Sequence, residues 1–353
     1  MRRGLISWSK TELPVATLDA RIDRAQAAMA KAGIDTMAIY SNPARTAGVS
    51  WFTTFLPYWN HCVLVLPASG PHVLVGGFSH RVNDWMKRTA HLDTIIHSPK
   101  LGSESGRVIA ERKARSVVAI PDLDTVPTSV VEGIEAAGAK VVDGTALLAQ
   151  LRAAPDPAAT ALYFTAAHIA HASLKQASSK EADGATVAAL IDGIARRYGA
   201  EEVYVGVCKD VAKSKTFVRL EGTCELADTF ALRLTLAYKG AWVRLTRTLS
   251  RNEKMRSPLS AAAETFAAGI VKLPDTSSIK FNVWLAEGCR STQPLEALAG
   301  SLIAEPLEIA QGMIVSIQAT VDTPQGAVLI GAPALIGRDG QATALLVSPD
   351  FGG

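Results

Sequence analysis

Apolar and polar positions alternate most sharply between Phe230 and Leu249, in FALRLTLAYKGAWVRLTRTL. Two alternating runs meet at Lys239-Gly240, which predicts a β-hairpin closed by a two-residue turn. That turn pairs Ala237 with Trp242, Thr235 with Arg244 and Arg233 with Thr246. Side chains alternate along a strand, so Arg233, Thr235, Ala237, Trp242, Arg244 and Thr246 share one face. Leu232, Leu234, Leu236, Val243 and Leu245 share the other, a core face. Arg233 and Arg244 become diagonal neighbours, roughly 7–8 Å apart at Cα. On a solvated face two such arginines need no partner, and composition alone favours that plainer reading. On an enclosed face they repel each other unless something negative lies between them.

The same patterning carries along the rest of the chain. Residues 16–33 show alanine-rich helical periodicity and stop at Gly33, a C-cap signal. DTMAIYSN reads as a strand, and HCVLVLPASGPHVLVGG as a hairpin around Ala-Ser-Gly-Pro. Between them Trp51, Phe52, Phe55, Tyr58, Trp59 and His61 crowd together, either as core packing or as the wall of a ligand site. Val82–Thr89 and TSVVEGIEAAG read as helices, and TIIHS, SVVAIPD and AKVVDG as strands. Alternating strands and helices predict an α/β domain with a mixed sheet over residues 1–153. The prolines at 155 and 157 mark a connector. Residues 154–353 then begin with helices near 158–178 and 180–199. The strand VYVGVC, the arginine hairpin, a helix near 260–270 and the strands GMIVSIQATV, GAVLIGAPALIG and ATALLVS follow. Helices first and antiparallel strands after predict an α+β second domain.

Composition narrows the function classes. Hydrophobic residues make up 48% and charged residues 20% of the 353, as in a globular chain. A net charge of +3 without a basic block gives no footprint for nucleic acid. The opening MRRGLISWSK lacks the apolar run of a signal peptide, and no window has the apolar length of a membrane helix. Cys62, Cys208, Cys224 and Cys289 are scattered without CxxC spacing. They read as reduced thiols of a cytoplasmic protein, not as a zinc site or disulfide framework.

Several of these segments together resemble the creatinase/aminopeptidase P/prolidase group. SNPARTAGVSWFTTF is similar to that group's N-terminal domain, and LRAAPDPAATALYFTAAHIAHASL to its linker and first catalytic-domain helix. GAWVRLTRTL resembles a strand usually written Gly-aromatic-x-Asp-Leu/Ile-Thr-Arg-Thr, and GMIVSIQATV one that usually ends in Glu-Pro. The resemblance implies a creatinase-like N-terminal domain over residues 1–153 and a pita-bread domain over 154–353. It also implies a homodimer in which one subunit's N-terminal domain covers its partner's site.

Family peptidases hold two metal ions with two Asp, one His and two Glu. In this chain the resemblance puts the Asp places at Arg233 and Arg244 and the first Glu at Gln318. An ungapped count puts the His ligand at Cys289 and a second His at Glu296, and the last Glu falls at Ile330 or Gly331. None of the seven histidines lies beyond His171, so the later strands supply no imidazole. The expected cofactor is therefore none, and the expected ligand a small carboxylate or phosphate. Arg233, Arg244 and Arg290 would form the anion fork and Gln318 would add an amide. Glu296, Trp59 and His61 complete the candidate site residues. Three alternatives stay open at this point. Arg233 and Arg244 could instead pair with internal acids such as Glu287 or Glu296. The protein could be a metal-independent C–N hydrolase with Cys289 as nucleophile beside Arg290. It could also be a non-catalytic partner subunit.

Overall fold

The structure is a computed structural model. It describes residues 8–43, 45–57, 59–177, 183–220, 222–270, 280–285, 311–337 and 342–344, with 280–285 and 342–344 described as backbone. The chain divides into two compact units at Ala158.

In the first unit, α1 (Val15–Ala32) leads into β1 (Thr36–Ser41), α2 (Ala47–Thr53), the hairpin β2 (Cys62–Pro67) and β3 (Val73–Gly76), and α3 (Asn83–Thr89). There follow β4 (Thr94–His97), α4 (Leu101–Arg112), β5 (Val117–Ile120), α5 (Thr128–Glu135), β6 (Lys140–Asp143) and α6 (Thr145–Arg152). The strands form one sheet in the order β4-β3-β2-β1-β5-β6. Only the β1–β2 and β2–β3 pairings are antiparallel, so the sheet is mixed, as the sequence predicts. Both faces are buried, which explains the unbroken apolar run CVLVL. Leu64 and Leu66 pack in one cluster with Met29, Phe52, Phe55 and Leu148. Val63 and Val65 pack in another with Val108, Ile109, Val130 and Ile134. α1 ends where expected, at Gly33 in the left-handed region with φ 68°.

Three helices of this unit escape the sequence reading. In α4 the cause is visible. A Cβ at Gly102 would stand 2.2 Å from the Ser129 carbonyl oxygen of α5, and one at Gly133 would stand 2.4 Å from Gly102. Two helices that close require glycine, and glycine is a poor helix former, so the packing requirement erased the local helix signal. In α2 the aromatic run hid the helical period.

The second unit opens with α7 (Pro157–Lys175) at the boundary and α8 (Gly184–Arg197), capped by the Asp183 carboxylate, which accepts from the Thr186 amide. Next come β7 (Glu202–Cys208), β8 (Val218–Arg219), β9 (Thr229–Tyr238), β10 (Ala241–Ser250) and α9 (Arg256–Ile270). β11 (Lys280–Leu285), β12 (Ile314–Thr323), β13 (Gly326–Ile336) and β14 (Ala342–Ala344) complete it; β11 is a strand the sequence reading passed over. The eight strands form an antiparallel sheet in the order β11-β12-β13-β10-β9-β7-β8, with β14 also paired to β13. Leu232, Leu234, Leu236, Val243 and Leu245 pack with Leu162, Ala166, Ile169, Val187 and Ile191 of α7 and α8. This is the core face expected from the alternation. No described helix in either unit is long and apolar enough to cross a membrane.

The hairpin has the expected register: Ala237 opposite Trp242, Thr235 opposite Arg244 and Arg233 opposite Thr246. Its turn has positive φ at both central residues, 47° at Lys239 and 83° at Gly240. That is the type I′ geometry, whose twist matches that of the flanking strands.

A candidate ligand site on the antiparallel sheet

The sheet face turned away from α7 and α8 is polar and buried. Along β9 and β10 it carries Arg233 and Thr235, then Arg244, Thr246 and Thr248, none more than 3% exposed. Pairing across the sheet adds residues far away in sequence. Thr246 faces Gly331 on β13, and Gly331 faces Gln318 on β12. On the other side Gly206 and Tyr204 of β7 face Arg233 and Thr235, and Glu202 faces Ala237.

Of the positions at which the resemblance placed metal ligands, those on β9, β10, β12 and β13 therefore lie together. Arg233, Thr246, Gly331 and Gln318 form one cross-strand row, and Arg244 stands two residues from Thr246 on the same face. Of the two places left open for the last ligand, Gly331 lies on this face, while Ile330 is in the apolar cluster with Leu232 and Val243. The third buried arginine of the hairpin, Arg247, pairs with Leu232 and so belongs to the helix side, where it donates to the Leu174 carbonyl at 3.4 Å.

Several contacts hold the polar face. Arg244 Nε donates to Thr235 Oγ1 at 3.1 Å, and Thr246 Oγ1 donates to Gln318 Oε1 at 3.0 Å. The Arg233 guanidinium lies 4.5 Å from the centroid of the Phe217 ring, a cation–π contact. The Tyr204 and Trp242 rings stack at 6.1 Å and 18°, and the Tyr204 hydroxyl donates to Glu202 Oε2 at 3.3 Å. Burial pulls the Arg233 pKa down to about 10. Burial and the charge of Arg233 pull Arg244 down to about 9. Both guanidiniums remain protonated at neutral pH.

These residues do not suit a divalent cation. A protonated guanidinium has no lone pair to offer a metal. Among the described residues no group of three or more His, Cys, Asp or Glu is arranged to hold one. The face instead presents hydrogen-bond donors and positive charge, the chemistry of an anion site.

The remaining candidates fall elsewhere. Trp59 and His61 belong to the first unit. Trp59 is 43% exposed and packs edge-on against Phe78 at 5.6 Å and beside Trp85 at 5.9 Å. His61 Nδ1 is 3.2 Å from the Tyr40 hydroxyl. Of their aromatic neighbours, Phe52 and Phe55 are core residues, which bears out the packing alternative for those two. Cys289, Arg290, Glu296, Glu287 and Tyr58 lie outside the described residues. Sequence reasoning missed Glu202, Tyr204 and Phe217. The alternation in EVYVGVC puts Glu202, Tyr204 and Gly206 on one face, but only the β7–β9 pairing shows that it is the arginine face.

Residues 21–154 match the family model of the Creatinase/Prolidase N-terminal domain. No curated protein matches the sequence. The fold is similar to that of an X-Pro aminopeptidase from Thermotoga maritima MSB8, with a TM-score of 0.70 and 13% identity over 93% of this chain and 98% of that one. A dipeptidase from Pyrococcus horikoshii OT3 gives 0.67 and 15% over 92% and 97%. A prolidase from Pyrococcus furiosus gives 0.64 and 18% over 91% and 98%. At these identities the structures speak for the fold, and they match it over nearly the whole chain.

Proposed function

We propose that this divergent member of the creatinase/prolidase family, which carries its N-terminal domain and its fold, no longer performs dinuclear-metal peptidase chemistry and binds a small anion in the old active site. One observation carries the reading. The places assigned to the two Asp ligands hold Arg233 and Arg244, both buried, on the same sheet face as Gln318 and Gly331. At 4 Å and an effective dielectric near 20, two unit charges interact by ~4 kcal/mol, and a divalent ion doubles the repulsion from each arginine. The same charges attract a carboxylate or phosphate, and guanidinium forks bind either through paired hydrogen bonds. Glu202 is the carboxylate of this face among the described residues, and the Tyr204 hydroxyl orients it.

Metal analysis and Xaa-Pro dipeptide assays on the pure protein, with and without added manganese, test the first half. The expected result is no stoichiometric metal and no turnover. Stoichiometric metal or clear dipeptide hydrolysis would overturn it. Titration calorimetry with small carboxylates and inorganic phosphate tests the second half. Binding is expected, and silence at millimolar ligand would point to internal salt bridges filling the site.

A further inference from the structure

In the first unit β1 and β5 lie side by side and parallel, with Thr36 opposite Val118 and Met37 opposite Ala119. The helices that follow them leave to opposite faces of the sheet. α2 sends Val49 and Phe52 into the cluster with Leu64 and Leu66. α5 sends Val130 and Ile134 into the cluster with Val63 and Val65. Chains that part in this way leave a crevice outside the carboxyl ends of the two strands, and open α/β sheets bind their ligands there. This sheet has a cleft at that place. Ile39, Val126 and Leu148, none more than 9% exposed, supply an apolar lining, and Arg45, Asp122 and Thr125 add polar groups. With its open mouth the cleft spans about 310 Å³, while its enclosed part admits one water-sized group at a time.

Its two charged residues come from different connections, and both are firmly held. Arg45 ends a tight loop after β1: its amide donates to Asn42 Oδ1 at 2.9 Å, and Ser41 Oγ donates to its carbonyl at 2.7 Å. Asp122 opens the turn after β5 in the left-handed region, with φ 53°. The Thr125 amide and hydroxyl each donate to the Asp122 carbonyl at 2.8 Å, and the Asp122 amide donates to Thr145 Oγ1 at 2.8 Å. Non-glycine residues kept in that conformation cluster at functional sites. Burial holds the half-buried Asp122 carboxyl above its ordinary pKa, although the charges of Arg45 and Arg152 pull it down. A carboxyl perturbed in this way, in a cleft that also holds a guanidinium, is a mark of a ligand site.

We propose that this cleft binds a small α-amino acid, with the ligand's carboxylate on Arg45, its ammonium on Asp122 and its side chain against the apolar lining. Charge selects the class. A guanidinium and a carboxylate in one cleft match a ligand that carries both charges, and a ligand with only one leaves the other protein group without its complement. A guanidinium has five N–H donors and a carboxylate about four acceptor positions, so each can engage a ligand in addition to its protein neighbours. Size narrows the class further. The enclosed part is too narrow for a nucleobase, and the lining by Ile39, Val126 and Leu148 suits a short aliphatic side chain. The site lies wholly within the first unit and does not depend on Arg233 and Arg244.

The test is calorimetry of the full-length protein with L-alanine, propionate and alaninamide, repeated with L-alanine on Asp122→Asn and Arg45→Gln. Propionate lacks the ammonium and alaninamide lacks the carboxylate. L-alanine is expected to bind at least about tenfold more tightly than either, and L-tryptophan, with its larger ring, should not displace it. Each variant should weaken L-alanine binding by at least about tenfold, the loss of one hydrogen bond between charged groups. Asparagine tolerates the left-handed backbone at this position, so Asp122→Asn keeps the turn. Arg45→Gln changes a half-buried side chain and serves if the first variant melts early. L-alanine binding no more tightly than propionate and alaninamide, L-alanine binding unchanged in both variants, or no binding of L-alanine at millimolar concentration would each overturn the assignment. Propionate held by Arg233 and Arg244 would be indifferent to both variants, so the failure of this site and that of the anion site are told apart.

Discussion

At Gly331 the absence of a side chain is a steric demand. A Cβ there would stand 2.7 Å from the Ile317 carbonyl oxygen and 3.2 Å from Gln318 Cα, both backbone atoms of the neighbouring strand. Backbone in a central strand cannot move aside as a flexible side chain can, so β12 and β13 would have to separate. Gly331→Ala is accordingly expected to cost ~1–3 kcal/mol, the usual range for overpacking, and to lower the melting temperature by several degrees. An alanine variant as stable as the parent would show that the two strands give way readily. The same geometry bears on the chemistry. A glutamate at this position would meet the same backbone atoms, so a carboxylate there needs a rearranged sheet as well as one substitution.

Elements are tied together by fewer and more expensive contacts. In the first unit Arg21 of α1 is 3% exposed and sends Nε to Asp156 Oδ2 at 2.7 Å and Nη1 to the Trp51 carbonyl at 2.6 Å. Its guanidinium also lies 5.0 Å from the centroid of the Trp51 ring. One side chain thereby joins α1, α2 and the proline-flanked connector before α7. Removing it takes the closest ion partner from the Asp156 carboxylate, which is 7% exposed and lies 3.9 Å from the more exposed Arg24. Arg21→Ala is expected to cost ~3–5 kcal/mol, the loss typical of breaking a buried ion pair from one side. Arg21→Lys should rescue little, because a single ammonium cannot make both bonds and stack on the ring. Urea denaturation midpoints of the two variants check this, and a lysine variant close to the parent would reduce the tie to charge alone.

On the scale of the whole molecule, the first unit holds a set of groups that makes stability depend on pH. His72, 1% exposed, stands with Nδ1 3.0 Å from Asp93 Oδ2 and Nε2 3.2 Å from the His91 carbonyl. The His91 ring is 5.8 Å away, and its Nε2 lies 2.7 Å from Asp19 Oδ1 on α1. Burial outweighs the pull of Asp93 and holds His72 below its ordinary value. A histidine with a folded pKa below its unfolded one contributes stability that is full above the unfolded value, near 6.5, and is lost as pH falls through the folded value. The melting temperature is therefore expected to drop between pH 7.5 and pH 5, with a shallower drop in His72→Gln. Equal pH profiles for the two proteins would place the acid sensitivity elsewhere.

Local periodicity was enough to determine the arginine hairpin: a period of two, a Lys-Gly turn and the consequence that Arg233 and Arg244 share a face. The C-cap at Gly33, the mixed sheet of the first unit and the helix-covered leucine face of the second were legible for the same reason, since each follows from residues within a few positions of one another. The long-range pairings were not. That Thr246 meets Gly331, that Gly331 meets Gln318 and that Glu202 and Tyr204 join the arginine face depend on which strand lies beside which, and alternation says nothing of neighbours. Nor does alternation tell a solvated polar face from a buried one. Composition favoured a solvated face for Arg233 and Arg244, and the tertiary structure decided otherwise by leaving them 2% and 3% exposed. Burial raises the cost of two neighbouring charges, because their hydration is lost and has to be replaced by contacts such as those to Thr235 and Phe217.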